Sequence, residues 1–213
     1  RVEASGIRWE TSNNFFPASQ RLTGPDVNNA EVERYFNLAL DRAHEAGVDT
    51  IVFGSYAAKK VPEGFSFNKA YEQLVVLHKK VGIAARERGI MIAIEPTRTP
   101  LTNIIITYED GVKLAKLVDD DNIKVLIDNY HMDAEGEDPF VLTRYPEYLK
   151  HAHFSNPNLA NPAVDRLVPV DEGEWDYQPL RKALIAAGYN GRMSIEAATP
   201  DFEFAAQKAI GLM

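Results

Sequence analysis

The ten residues IKVLIDNYHM (123–132) begin as an apolar run and end on Asp128 and His131, two side chains that take metals and polar ligands. A short β-branched run without polar alternation is what a strand covered on both faces of a parallel sheet looks like. Such a strand, finishing on charged residues, delivers them to one end of the sheet.

The same pattern repeats on either side. Strand candidates are GIRWETS (6–12), TIVFGS (50–55), IMIAIEP (90–96), IKVLID (123–128), LKHAHFS (149–155) and RMSIEA (192–197). Between them lie amphipathic segments with helix signals. Residues 29–46 open at Asn29, carry Glu31 and Glu33 in the first turn, space Val32, Phe36, Ala39, Leu40 and Ala43 helically, and stop at Gly47. A second helix runs from about Asn68 to Arg88 and stops at Gly89. TYED (107–110) reads as a capping box with Asp in place of Glu, and Thr199-Pro200 as a cap and first-turn proline. The acidic run at 119–121 is expected to be a solvated turn. Strand then helix, repeated at about 35 residues per unit, predicts an α/β fold with a parallel sheet and right-handed crossovers. A doubly wound sheet normally has a glycine-rich turn after its first strand, and none is present here.

Composition narrows the function. The 213 residues, 45% hydrophobic, are enough for one domain, residues 1–213. The formal charge of -8 disfavours nucleic acid and anionic membrane, which need a basic face. Without cysteine there is no disulfide, thiolate catalysis or Cys-type zinc site, and cytoplasm is the default location. No apolar run reaches the roughly 18 residues of a membrane helix. The opening RVEASGIRWE has neither an initiator Met nor a signal-peptide core, and the chain is expected to be soluble and shortened at its front.

Four consecutive strands end on Glu95, Asp128, His153 and Glu196. A lone carboxylate at a strand end is commonly a helix cap or ion-pair partner, and a lone His in HAHF commonly a bonded core residue. Recurrence at one structural position in four successive units favours a shared site, because barrel strand ends converge on one face. Three carboxylates and an imidazole suit a hard or borderline divalent ion with positions left for substrate oxygens, manganese or magnesium first, with cobalt and zinc also compatible. His151 and His153 lie two apart and share a strand face, so spacing alone leaves the choice between them open.

The ordered set IAIEP, LIDNYHM, HAHFS and MSIEA resembles the sugar phosphate isomerase/epimerase family, the xylose isomerase-like TIM barrels that include ketose 3-epimerases and hydroxypyruvate isomerase. The resemblance implies a (β/α)8 barrel whose strands three to eight are the six found here, the first two βα units being missing from the chain. It implies Glu95, Asp128, His153 and Glu196 as metal ligands, and His131 as a substrate contact. DRLVPVDEGEWDY (165–177) resembles the family's arginine loop, with Arg166, Pro169, Gly173 and Asp176 matching in type, which implies Arg166 as a second substrate contact. SNPNLANPAV inserts extra residues between His153 and Arg166, and EPTRTPLTN carries Leu101 where ketose epimerases carry a glutamate. FGSYAAKKVPEGF (53–65) resembles a loop of uncharacterised family members, in which Lys59 and Lys60 read as a solvated pair, the alternative being contact with a substrate anion.

The chemistry implied is isomerisation or epimerisation of a small sugar or keto acid. A metal polarises the carbonyl and Glu95 and Glu196 move the neighbouring carbon-bound proton, via an enediolate. Family barrels are often dimers or tetramers, so a homo-oligomer is compatible. Two rivals are a sugar-binding barrel without catalysis, which the complete ligand set disfavours, and the superfamily's apurinic-site endonucleases. Those need further histidines, absent from TIVFGS and DRL, and a basic face.

Overall fold

In the computed structural model, which describes residues 6–99, 101–158, 166–169 and 175–212, the chain divides into two compact units, Arg1–Leu126 and Ile127–Met213. The first unit carries β1 (Thr11–Ser12), α1 (Asn29–Glu45), β2 (Thr50–Phe53), a helical turn (Tyr56–Lys59), α2 (Phe67–Arg86), β3 (Met91–Ile94), α3 (Tyr108–Val118) and most of β4 (Ile123–Asp128). Each strand pairs in parallel with the next: Thr11 with Thr50, Phe53 with Ile94, Ile94 with Val125. Val52, Ala93 and Leu126, none of them exposed, pack together across three of these strands. The second unit holds the last two residues of β4, then α4 (Asn129–Glu135), two 3-10 turns (Pro139–Arg144 and Pro146–Tyr148), β5 (Leu149–Phe154), β6 (Asn156–Pro157), β7 (Arg166–Leu167), α5 (Gln178–Ala186), β8 (Met193–Ile195) and α6 (Phe202–Leu212). β5 and β8 are parallel, with His153 opposite Ser194, whereas β6 and β7 form an antiparallel pair. Six strands therefore follow the α/β order expected from the sequence, and β4 covers the residues read for it.

The helices form where apolar spacing and caps agree. In α1 the buried stripe is Val32, Phe36 and Leu40, each worth about 1.5–3 kcal/mol on burial. Its cap is Asn28, one residue before the predicted Asn29, whose side chain accepts from the Glu31 amide. α2 opens on Ser66, which accepts from Lys69 N. The capping box at Thr107 is present in both directions, the Asp110 carboxylate accepting from Thr107 N at 3.0 Å and Thr107 Oγ1 from Asp110 N at 3.2 Å.

Other expectations change. β1 is two residues long rather than seven. At the last helix Asp201, not Thr199, does the capping, its carboxylate accepting from Phe204 N at 3.0 Å. Thr199 instead accepts from Asp201 N. The acidic turn is not fully solvated, since the Asp120 side chain is 7% exposed and ion-paired to Arg86. Among the described residues no helix is long and apolar enough to cross a membrane.

Candidate metal centre

Asp128 is the last residue of β4 and 1% exposed. Its Oδ1 accepts from Tyr130 N at 2.9 Å and so caps α4, while Oδ2 lies 3.9 Å from His153 Nδ1. One oxygen caps the helix, and the other faces His153 and Arg166. His153 sits on β5 in register with Ser194, so Glu196, just past β8, arrives beside it, with Glu196 N donating to Phe154 O at 3.2 Å. His153 Nδ1 is 3.0 Å from Glu196 Oε2. Ligand atoms of Asp128, His153 and Glu196 all lie within 4.8 Å of one another.

A buried and a partly buried carboxylate this close repel unless a cation sits between them. Here Arg166 Nη1 does so, 2.5 Å from Asp128 Oδ2 and 2.5 Å from Glu196 Oε2. Its Nη2 is 2.9 Å from His131 Nε2, and its guanidinium carbon is 5.0 Å from the centroid of the Tyr130 ring. Burial opposes ionisation of Glu196. The His153 hydrogen bond and the Arg166 and His153 charges outweigh it and hold the carboxyl well below the usual carboxylate range. The donor set, two carboxylate oxygens and an imidazole nitrogen around a point already filled by positive charge, fits a divalent ion.

Sequence reasoning left the residues that hold this trio together unremarked. Asn129 Nδ2 donates to Ser155 O at 3.1 Å and Ser155 N donates to Asn129 Oδ1 at 2.9 Å, tying the residue after Asp128 to the residue two beyond His153. The β6–β7 pair sets Arg166 opposite Pro157, which brings the arginine back to the strand ends despite the insertion before it. Of the other two histidines near this site, His151 bonds Ser194 Oγ at 2.8 Å, and His131 is buried beside Arg166. In the resembling loop, Gly173 lies outside the described residues, Pro169 is buried, and Asp176 accepts from Gln178 N at the start of α5. Asp133 accepts from Asn129 Nδ2 and Trp175 Nε1, and desolvation of its carboxyl pushes it up.

Glu95, in the first unit, follows β3 and is 4% exposed. Its amide donates to Phe53 O at 3.2 Å, continuing the β2–β3 register to Gly54. A Cβ on Gly54 would come within 2.1 Å of Glu95 Oε2, so glycine is what lets the carboxylate lie there. The two lysines expected to be solvated part company. Lys60 is exposed, whereas Lys59 is 3% exposed and donates from Nζ to Glu95 O at 2.8 Å. Burial pushes the Lys59 ammonium down to about 8, opposed by the Glu95 charge. His78 stacks on Phe53, with 4.5 Å between centroids, and its Nδ1 lies 2.7 Å from Leu74 O. Burial pushes its imidazole down to about 4.

A family model described as a xylose isomerase-like TIM barrel matches residues 17–213. Over 184 residues the chain is 27% identical to D-psicose 3-epimerase of Ruminiclostridium cellulolyticum, a match covering 84% of this chain and 60% of that protein. It is also 27% identical over 142 residues to inosose dehydratase of Lacticaseibacillus casei, covering 60% and 47% of the two chains. The chain thus spans less than two thirds of the length of these relatives. Among solved structures, D-psicose 3-epimerase with D-tagatose from Clostridium cellulolyticum H10 superposes with a TM-score of 0.81 at 22% identity, over 99% of this chain and 78% of that one. An IOLI protein with a bound zinc atom gives 0.75 at 18%, over 95% and 73%. At these identities the structural matches speak for the fold.

Proposed function

Because the chain belongs to the xylose isomerase-like TIM-barrel family, we propose that it is a divalent-metal-dependent isomerase or epimerase acting beside the carbonyl of a small sugar or keto acid. The observation that carries this reading is the convergence of Asp128, His153 and Glu196 around a positive charge. In this reading Glu95, which follows β3, is the fourth ligand. Manganese and magnesium suit three carboxylates and one imidazole best, and the zinc bound by a solved structure of the same fold keeps zinc in the set.

A bound ion supplies Lewis-acid polarisation of a carbonyl and an adjacent hydroxyl, which acidifies the carbon-bound proton between them. Glu95 and Glu196 move that proton: one removes it, and the other delivers one to the opposite face, which inverts the carbon. Delivery to the neighbouring carbon isomerises instead. Each such group is worth about 10²- to 10⁴-fold in rate. With an ion held there, the Arg166 guanidinium would offer its donors to substrate oxygens, and His131 beside it would orient a hydroxyl. The likeness to inosose dehydratases supports a second outcome from the same start, in which the carbanion expels a β-hydroxyl rather than being reprotonated.

The test is NMR in deuterium oxide with manganese, across ketoses, ketose phosphates, hydroxypyruvate and inososes, using the full-length protein and Glu196→Gln as control. Exchange of the proton beside the carbonyl that requires both metal and Glu196 is expected; water loss from an inosose identifies the dehydratase. A protein that binds manganese yet exchanges no compound in the panel is a binding barrel, and the enzymatic reading fails.

A further inference from the structure

Lys59 is the buried charge of the first unit that the proposed chemistry leaves unexplained. It ends the helical turn after β2 and is 3% exposed. A buried ammonium is a liability to folding, and an apolar chain of similar length packs there at less cost. Its surroundings show what it does instead. Nζ donates to the carbonyl of Glu95 at 2.8 Å, within a region where the Glu95 charge also acts on it. The turn that carries it is fixed at both ends. Ser55 opens it at φ 39°, in the left-handed region, its hydroxyl accepting from Phe16 N at 2.9 Å. Thr23 Oγ1 closes it, 3.1 Å from the Lys59 carbonyl. Just before the turn is Gly54, whose missing side chain makes room for Glu95 Oε2.

We infer that Lys59 is a positioning residue for Glu95. Its ammonium pins the end of β3 through the Glu95 carbonyl, and so keeps the Glu95 carboxylate in one orientation over Gly54. The role rests on the reading of Glu95 as a metal-binding and proton-transfer group, but its physical content is a statement about Glu95 itself. A lysine kept only for packing would leave that carboxylate indifferent to its removal.

The decisive comparison is Lys59→Met against wild type, with the Glu95 carboxyl ¹³C resonance assigned in the metal-free protein by its loss in Glu95→Gln. The expected result is a Glu95 signal that moves by about 1 ppm or splits, with a melting temperature equal to or above wild type, because a buried charge has gone. Manganese affinity, read by electron paramagnetic resonance, changes at least about threefold, and the exchange kcat falls at least about tenfold with KM nearly constant, as for a misplaced catalytic group. An unmoved Glu95 resonance overturns the inference, whatever happens to the melting temperature. Should the Met variant not fold, Lys59→Gln, which keeps a donor but no charge, is read in the same way. A wild type that binds no manganese and exchanges no substrate sinks the proposed function, while the metal-free resonance still decides Lys59.

Discussion

At the scale of single residues, burial makes the partners of each polar side chain decisive. Asp128 and Lys59 are almost equally hidden, and each has a polar partner set by backbone geometry rather than by chance packing. His78 is the contrasting case. Its Nδ1 faces Leu74 O and therefore carries the proton, and its Nε2 is buried without a hydrogen-bond partner. Burial, with help from the Lys59 charge, pushes its imidazole from 6.5 down to about 4, against the pull of the Leu74 carbonyl. The folded state thus holds it neutral while the unfolded chain takes up a proton below pH 6.5. The stability it contributes is complete above pH 6.5 and is lost as pH falls toward 4, on the order of 3 kcal/mol in all. Urea unfolding of His78→Leu from pH 7 to 4 is expected to show a flatter acid limb than wild type. An identical limb in both proteins means that carboxylates, not this imidazole, set the acid sensitivity.

Among the elements, what local sequence encodes was legible and what neighbours decide was not. β4 was readable to its ends because six residues of nearly unbroken apolar character have no competing helical reading. The capping box at Thr107 was readable because its two hydrogen bonds join residues three apart. Replacing Thr107 with Ala removes the side-chain acceptor for Asp110 N and is expected to lower stability by about 1 kcal/mol, seen as an earlier urea midpoint with unchanged slope. No loss would mean that tertiary packing alone holds the start of α3. The β6–β7 pair, by contrast, is two residues against two and leaves no periodicity to find. Yet it returns Arg166 to the carboxylates. Likewise nothing in a Lys-Lys dipeptide distinguishes the buried member from the exposed one; the distinction arises from the Glu95 carbonyl and the Ser55 turn, contacts that the chain makes across 36 residues and more.

For the molecule as a whole, Glu95, Asp128 and Glu196 were named from their place at the ends of successive strands and His153 was chosen over His151 by the family resemblance, and three of the four are seen drawn together within one unit. No short peptide of this chain contains that set, so the unfolded chain offers an ion only scattered carboxylates and histidines. An ion that binds the native state and not the unfolded one adds RT ln(1 + [L]/Kd), about 2.7 kcal/mol at a hundredfold excess over Kd. For a chain of this size each kcal/mol is worth roughly 2–4 °C. Calorimetry with saturating manganese is therefore expected to raise the melting temperature by about 5–10 °C, and a chelator to reverse it. Asp128→Asn sharpens the measurement, since the amide oxygen can still cap α4 while the charge facing His153 and Arg166 is gone. That variant should melt near the metal-free wild type and lose most of the manganese shift. If wild type gains nothing from manganese, magnesium, cobalt or zinc, Arg166 is the permanent cation between those carboxylates, and the centre is a structural ion-pair network rather than a metal site.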